Sequence, residues 1–198
     1  MTHTNSLVLA SGNAGKIKEL QALLPAYTLI PQTQFNVLEI AETGTTFVEN
    51  AILKAHHAAK ISNLPAIADD SGLVVSALND APAIYSARYA GEKATDAENI
   101  TKVLRELDRV PVEKRQAYFF CVLVLMRHAA DPCPIIAQGR WDGVILQQPQ
   151  GENGFGYDPI FFVPSHNCSA AELPFEIKNS LSHRAQALAQ LQQALNLR

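Results

Sequence analysis

From Ala117 to Met126 the chain reads AYFFCVLVLM, ten apolar residues with no charge among them. A helix that crosses a bilayer needs roughly 20 such residues, so the run is too short for a membrane span. Its aromatic and β-branched content suits a buried strand instead. A chain that must bury such a strand has to build a layered core around it.

The flanking sequence supplies the layers. Ser6 to Ala10 read as a short apolar strand, after which Ile17, Leu20, Leu23 and Leu24 recur at helical spacing until Pro25 stops the helix. Tyr27 to Pro31 read as a second strand, and NVLEIAETGTT as a polar connection. Thr46 and Glu49, three apart, form a capping box that opens a helix reaching about Ile61. Pro65 to Ala68 read as a strand, Ser71 and Gly72 as a turn, and a second apolar run starts at Leu73. Thr95 and Glu98 repeat the capping box and open a helix to about Leu107. Downstream come a strand at Ile135 to Gln138, a turn around Asp142 and Gly143, a strand at Pro159 to Pro164, and a final helix from near Ser182 marked by Leu188, Leu191 and Leu195. This alternation predicts an α/β fold with a mixed sheet. With 198 residues, 47% of them apolar, the expectation is one domain, 1–198, with room for two lobes.

A net charge of −3 and a pI near 6.1 argue against non-specific duplex binding, which relies on a basic face, so no nucleic-acid partner is expected. Cys121, Cys133 and Cys168 are odd in number and form no C-x-x-C pair, which argues against a disulfide framework or a zinc cluster and fits a reducing cytoplasm. No basic-then-apolar leader is visible, and no membrane partner is expected.

Several stretches carry polar chemistry. SGNAGK, Ser11 to Lys16, sits between a strand and a helix but has neither Walker nor dinucleotide-fold glycine spacing. It is either an anion cradle at a helix N-terminus or a tight turn with a solvated lysine. In ADDSG, Asp69 and Asp70 are adjacent and point to opposite faces of an extended chain, so one of them can serve a given site, as a Mg²⁺ ligand or by activating water. The plain alternative is a turn with solvated acids. Glu42 is either a further carboxylate for a hard cation or a solvated loop acid. Asn50, Lys54 and His57 recur at i, i+4 and i+7 and form either a phosphate-facing wall or a wet helix face. GENGFGYDPIFF places glycines beside Phe155, Tyr157 and Asp158, which suits a planar ligand as well as a hairpin with an aromatic plug. Arg184 falls in the first turn of a helix, where a cation opposes the dipole unless it has an anionic or carbonyl partner. His3, His56, His57, His128 and His166 show no metal spacing.

In this order, SGNAGKIKEL, ETGTTFVENAILKA, AIADDSGL, YSARYAGE, GFGYDPIFF and SHRAQAL resemble the motifs of the inosine triphosphate pyrophosphatase family over nearly the whole chain. The resemblance implies a long, bent, mixed central sheet with helices on both sides, two lobes around an active-site cleft, and a homodimer. It also implies Mg²⁺-dependent hydrolysis of non-canonical purine nucleoside triphosphates, ITP, dITP and XTP, to the monophosphate and pyrophosphate. Carried onto matching positions, it assigns triphosphate contacts to Ser11, Gly12, Asn13, Ala14, Gly15, Lys16 and Lys54. Asp70 takes the place of the general base, Glu42 and Asp70 lie near Mg²⁺, and Ser71 touches substrate. Phe155, Gly156, Tyr157 and Asp158 border the base together with Lys178, His183 and Arg184. The chain departs from the commoner pattern at Pro174 and Phe175, and proline, lacking an N–H donor, reshapes the start of the helix that carries Lys178.

Overall fold

A computed structural model describes residues 6–196, so His3 lies outside the described residues. These residues form a seven-stranded sheet of order β2 (Thr28–Pro31), β1 (Ser6–Leu9), β3 (Ala66–Val75), β4 (Gln116–Met126), β5 (Ile135–Ile145), β6 (Phe161–Val163), β7 (Cys168–Ser169), and pack as two compact units. The first comprises the chain up to Asp70, Cys121–Gly139 and the residues from Arg184 onward; the second comprises Ser71–Phe120 and Arg140–His183.

The first unit holds β1 (Ser6–Leu9), α1 (Ala14–Leu23), β2 (Thr28–Pro31) and α2 (Phe47–Ser62). It also takes the opening half of β3 (Ala66–Val75), the closing half of β4 (Gln116–Met126), the opening part of β5 (Ile135–Ile145) and nearly all of α5 (His183–Asn196). β1 runs parallel to both neighbours, with Leu7 opposite Leu29 and Val8 opposite Ala66. Leu9, Leu20, Leu24, Ile67, Leu123 and Leu191 fill its core. The expected capping box opens α2: Glu49 N–H donates to Thr46 Oγ1 at 3.3 Å, and Thr46 N–H donates to Glu49 Oε2 at 2.9 Å.

The second unit holds α3 (Asp96–Glu106), opened by the Thr95–Glu98 capping box, the remaining parts of β3, β4 and β5, then β6 (Phe161–Val163), β7 (Cys168–Ser169) and α4 (Phe175–Leu181). β6 runs antiparallel to both of its neighbours, β5 and β7. Its core stacks Phe119, Trp141 and Phe161, with ring centroids 4.5 Å apart for Phe119 and Phe161 and 5.2 Å for Trp141 and Phe161. The sheet is therefore mixed, as expected, and AYFFCVLVLM is its buried strand β4. Among the described residues no helix is long and apolar enough to cross a membrane.

Two expected turns are not turns. β3 runs unbroken through Ser71 and Gly72, and β5 runs unbroken through Asp142 and Gly143. The glycines serve close approach: a Cβ at Gly72 would strike Ala83 O and Ser86 Oγ, and one at Gly143 would lie 2.5 Å from the Phe161 ring and from Phe162 O. The strand expected from Pro159 shortens to Phe161–Val163, because Asp158–Ile160 close a 3₁₀ turn. A 3₁₀ turn at Gln32–Phe35 and β7 carried no signal strong enough to be expected, whereas α4 is the helix expected to carry Lys178.

Candidate active site

The loop that follows β1 is built as a helix start. Asn13 is extended at φ −80°, ψ 112° and its Oδ1 accepts from the Lys16 N–H at 3.0 Å, making it the N-cap of α1. Ser11 Oγ accepts from the Asn13 N–H at 3.2 Å. Gly12, Asn13 and Ala14 remain exposed, so the positive end of the α1 dipole and its uncommitted N–H groups face solvent, an arrangement that favours an anion. A Cβ at Gly12 would meet the end of the exposed Glu39 side chain, which is free to swing aside.

Asp69 and Asp70 lie inside β3, buried, which excludes the plain alternative of a turn with solvated acids. Asp69 Oδ1 meets Lys16 Nζ at 2.6 Å, and its Oδ2 accepts from Arg184 Nε at 2.9 Å and from the Cys121 thiol at 3.1 Å. Arg184, only 1% exposed, also pairs with the buried Glu19. Burial alone would raise the Asp69 pKa, but Arg184 and Lys16 outweigh it and hold the carboxyl well below its ordinary value. The Cys121 thiol is driven the other way, well above its ordinary value, by burial and by the Asp69 charge, so it stays a protonated donor. The cation in the first turn of α5 thus has its anionic partners.

Asp70 serves different groups. Its Oδ1 meets Lys54 Nζ at 2.6 Å, and the same nitrogen meets Glu42 Oε1 at 3.0 Å. Burial raises the Asp70 pKa; Lys54 and Lys16 oppose the rise and Glu42 adds to it. Lys54 loses affinity for its proton by burial but regains more from Asp70 and Glu42, so its pKa rises. Two carboxylate oxygens facing one ammonium nitrogen face a common point. They fit Mg²⁺, which takes oxygen ligands, commonly one or two carboxylates, and completes its shell with water and substrate phosphates. Among the described residues no set of three or more His, Cys, Asp or Glu side chains converges as a metal cage. On the α2 face that carries Lys54, Asn50 is fully buried and His57 is half-buried, with its ring Nε2 3.1 Å from Leu38 O. That face is not the wet surface of the plain reading.

In the second unit, the segment that closes on Asp158 forms a tight loop. Asp158 is buried and accepts from the Phe155 N–H at 2.9 Å and from Lys178 Nζ at 2.5 Å. Gly154, at φ +77°, brings its backbone against that carboxylate where a Cβ could not fit. The Lys178 ammonium also sits 4.9 Å from the Phe155 ring centroid. Pro174 caps α4 without a side-chain bond, and Lys178, one turn in, still reaches the aromatic loop. Tyr157 is buried, its hydroxyl donating to Ser86 O at 2.8 Å, and burial raises its pKa. Phe155 and Gly156 stay partly accessible. His183 stacks on Phe119, with centroids 4.9 Å apart and planes 15° apart. Ser71 is half-buried in β3 beside the close approach at Gly72.

The structure therefore gathers Lys16, Glu42, Lys54, Asp69, Asp70 and Arg184 in the first unit, and Phe155, Asp158 and Lys178 in the second, while neighbours His183 and Arg184 belong to different units. Sequence reasoning missed four supports. Glu19 looks like a solvated helix acid, Cys121 like one more apolar strand residue, Ser86 like a loop serine and Asp96 like a first-turn acid. In the structure Asp96 Oδ2 accepts from the Gly156 N–H at 2.7 Å, and Ser86 Oγ accepts from the Leu73 N–H at 2.9 Å. No local pattern announces such partners, because they lie as many as 165 positions apart, as Glu19 and Arg184 do.

Comparison with known proteins sharpens this geometry. The chain is 58% identical over 191 residues to the dITP/XTP pyrophosphatase of Vibrio cholerae, covering 96% of each chain. It is 59% identical over 191 residues to the dITP/XTP pyrophosphatase of Shigella flexneri, covering 96% of this chain and 97% of that one. Among solved structures, a HAM1 protein from Coxiella burnetii superposes with a TM-score of 0.90 at 55% identity, over 98% of this chain and 99% of that one. The Ham1 protein of Staphylococcus aureus gives 0.86 at 44% identity, over 96% and 98%. The model of the Ham1 family matches residues 7–194, and with that match the chain belongs to the Ham1 family.

Proposed function

We propose that the chain is a nucleoside triphosphate pyrophosphatase that hydrolyses the non-canonical purine nucleotides dITP, ITP and XTP to the monophosphate and pyrophosphate. Relatives named dITP/XTP pyrophosphatase, matched over nearly full length, support it. The observation that carries it is the Lys54 ammonium held between Glu42 and Asp70 in the unit whose α1 N-terminus is open to an anion.

In this reading the first unit grips the triphosphate. The Ser11–Lys16 loop offers N–H donors and Lys16, and Lys54 adds a second cation against the phosphate charge. Glu42 and Asp70 would hold Mg²⁺, which would neutralise phosphate charge and make a bound water more acidic. Asp70 takes the proton of the attacking water. The water oxygen bonds to the α-phosphorus, the bond to the bridging oxygen breaks, and pyrophosphate leaves. Lys16 is kept in reach by Asp69. The second unit recognises the base: Phe155 stacks on it, held by Lys178 and Asp158, and donors in the region of His183 meet a C6 carbonyl while opposing the amino group of adenine. A homodimer acting on the nucleotide pool of the cytoplasm completes the reading; light scattering tests the dimer.

The decisive measurement is pyrophosphate release from eight nucleoside triphosphates, with and without Mg²⁺. The expected profile has ITP, dITP and XTP far ahead of ATP and GTP and requires Mg²⁺. A flat profile across purines removes the specificity, and no release from any nucleotide removes the activity.

A further inference from the structure

Asn50 is fully buried, yet only half of its amide is satisfied. Its Oδ1 accepts from the Gly44 N–H at 2.8 Å, whereas its Nδ2 has no hydrogen-bond partner among the described residues. A buried donor left without a partner is destabilising. An apolar side chain of the same shape would avoid that cost, so the acceptor oxygen is what an asparagine contributes here. That oxygen holds Gly44, two residues after Glu42 in a segment without helix or strand. Gly44 lets the contact form, because a Cβ there would lie 2.6 Å from Asn50 Oδ1 and 2.6 Å from Glu49 Cβ. The next two N–H groups, of Thr45 and Thr46, donate to Glu49 Oε2 at 2.7 and 2.9 Å. Three consecutive donors are therefore fastened to α2. The first of these fastenings comes from the residue one turn before Lys54, the ammonium of which meets Glu42.

We propose that Asn50 is a positioning residue that fixes the distance of the Glu42 carboxylate from Lys54 and Asp70, and through it the affinity for the divalent cation that Glu42 and Asp70 share. This rests on the reading of those two carboxylates as the Mg²⁺ ligands. Groups that orient metal ligands from behind commonly control affinity by about 10- to 100-fold.

The test uses the full chain and two readouts: Mn²⁺ binding without nucleotide, followed by water-proton relaxation, and the Mg²⁺ concentration that gives half-maximal pyrophosphate release from ITP. Asn50→Leu is expected to weaken both by about 10-fold or more, while the ratio of ITP to GTP turnover at saturating Mg²⁺ stays at the wild-type value. Asn50→Asp, which keeps an acceptor for Gly44, is expected to recover most of the cation affinity. Gly44→Ala, which pushes the same contact apart from the loop side, must weaken the cation as Asn50→Leu does, and it serves if the leucine variant fails to fold. Wild-type cation affinity in both Asn50→Leu and Gly44→Ala, or equal loss in Asn50→Leu and Asn50→Asp, overturns the proposal. A wild-type enzyme that neither binds Mn²⁺ nor needs Mg²⁺ overturns it differently, by removing the metal reading beneath it.

Discussion

The first unit holds its polar groups with charge, the second with packing. Around β3 of the first unit, Lys16, Lys54 and Arg184 interleave with Glu19, Glu42, Asp69 and Asp70, so each acid named there touches a cation. In the second unit a buried ion pair, Lys178 with Asp158, lies against the Phe155 ring, while Phe119 and His183 stack on each other. The difference matches two recognition tasks. A polyanion needs cations kept charged and aimed, and paired carboxylates do both. A purine needs a flat, partly apolar wall, and a charged lattice would be the wrong material for it.

If that division is right, breaking the two regions gives different signatures. The largest effect belongs to Asp70→Asn, which keeps the shape of the side chain but removes its proton-accepting charge. Pyrophosphate release from ITP should fall by about 10²- to 10⁴-fold, the usual contribution of a positioned base, with a much smaller change in KM. Similar turnover in variant and wild type would detach Asp70 from the chemistry. Next comes Arg184→Met, which leaves Asp69 and Glu19 buried without their shared cation. Breaking a buried pair from one side costs about 3–5 kcal/mol, so urea denaturation should show a loss on that scale; a loss below about 1 kcal/mol would mean that the pairs are solvated after all. Phe155→Ala follows. Loss of a stacking ring costs about 1–3 kcal/mol per base, which should appear as a raised KM for ITP with kcat largely kept, the opposite split to Asp70→Asn.

The smallest effect tests surface charge within the first unit. Arg127 pairs with Asp131 through a half-exposed guanidinium, and its hydrogen bonds hold the Asp131 carboxyl well below the ordinary 3.8. A depressed folded pKa adds stability above the unfolded value and loses it as the pH falls through the folded one. Thermal midpoints of wild type and Arg127→Ala should therefore differ at pH 7 and draw together progressively as the pH falls below the ordinary 3.8. A gap that widens in acid would reverse the sign of this linkage.

Much of the fold can be read locally. The Thr46–Glu49 and Thr95–Glu98 capping boxes fix two helix starts because every group involved lies within one turn. Gly72 and Gly143 mislead for the opposite reason: a glycine that ends a strand and one that admits a neighbouring backbone look alike until the neighbour is known. The site divides in the same way. SGNAGK and Asp70 stand out as polar groups beside apolar runs, whereas Glu42 and Lys54 gain meaning only from the resemblance. Whether Asp69 faces water or Arg184 depends on a residue 115 positions away. Asn50 was visible beside Lys54 at helical spacing, but its burial follows from the path of the Gly44 loop, which no spacing encodes.

The Cys121 thiol, sealed beside Asp69 and held protonated, makes the molecule its own stopwatch. Of the three cysteines only Cys133 is fully exposed, with Cys168 half-covered, so an alkylating reagent marks those two first. Cys121 can react only in the moments when the charged lattice opens and the thiol can ionise. Its labelling rate, read by mass, therefore counts those openings. Substrate that locks Lys16 and Lys54 in place should slow that count without touching the sulfur.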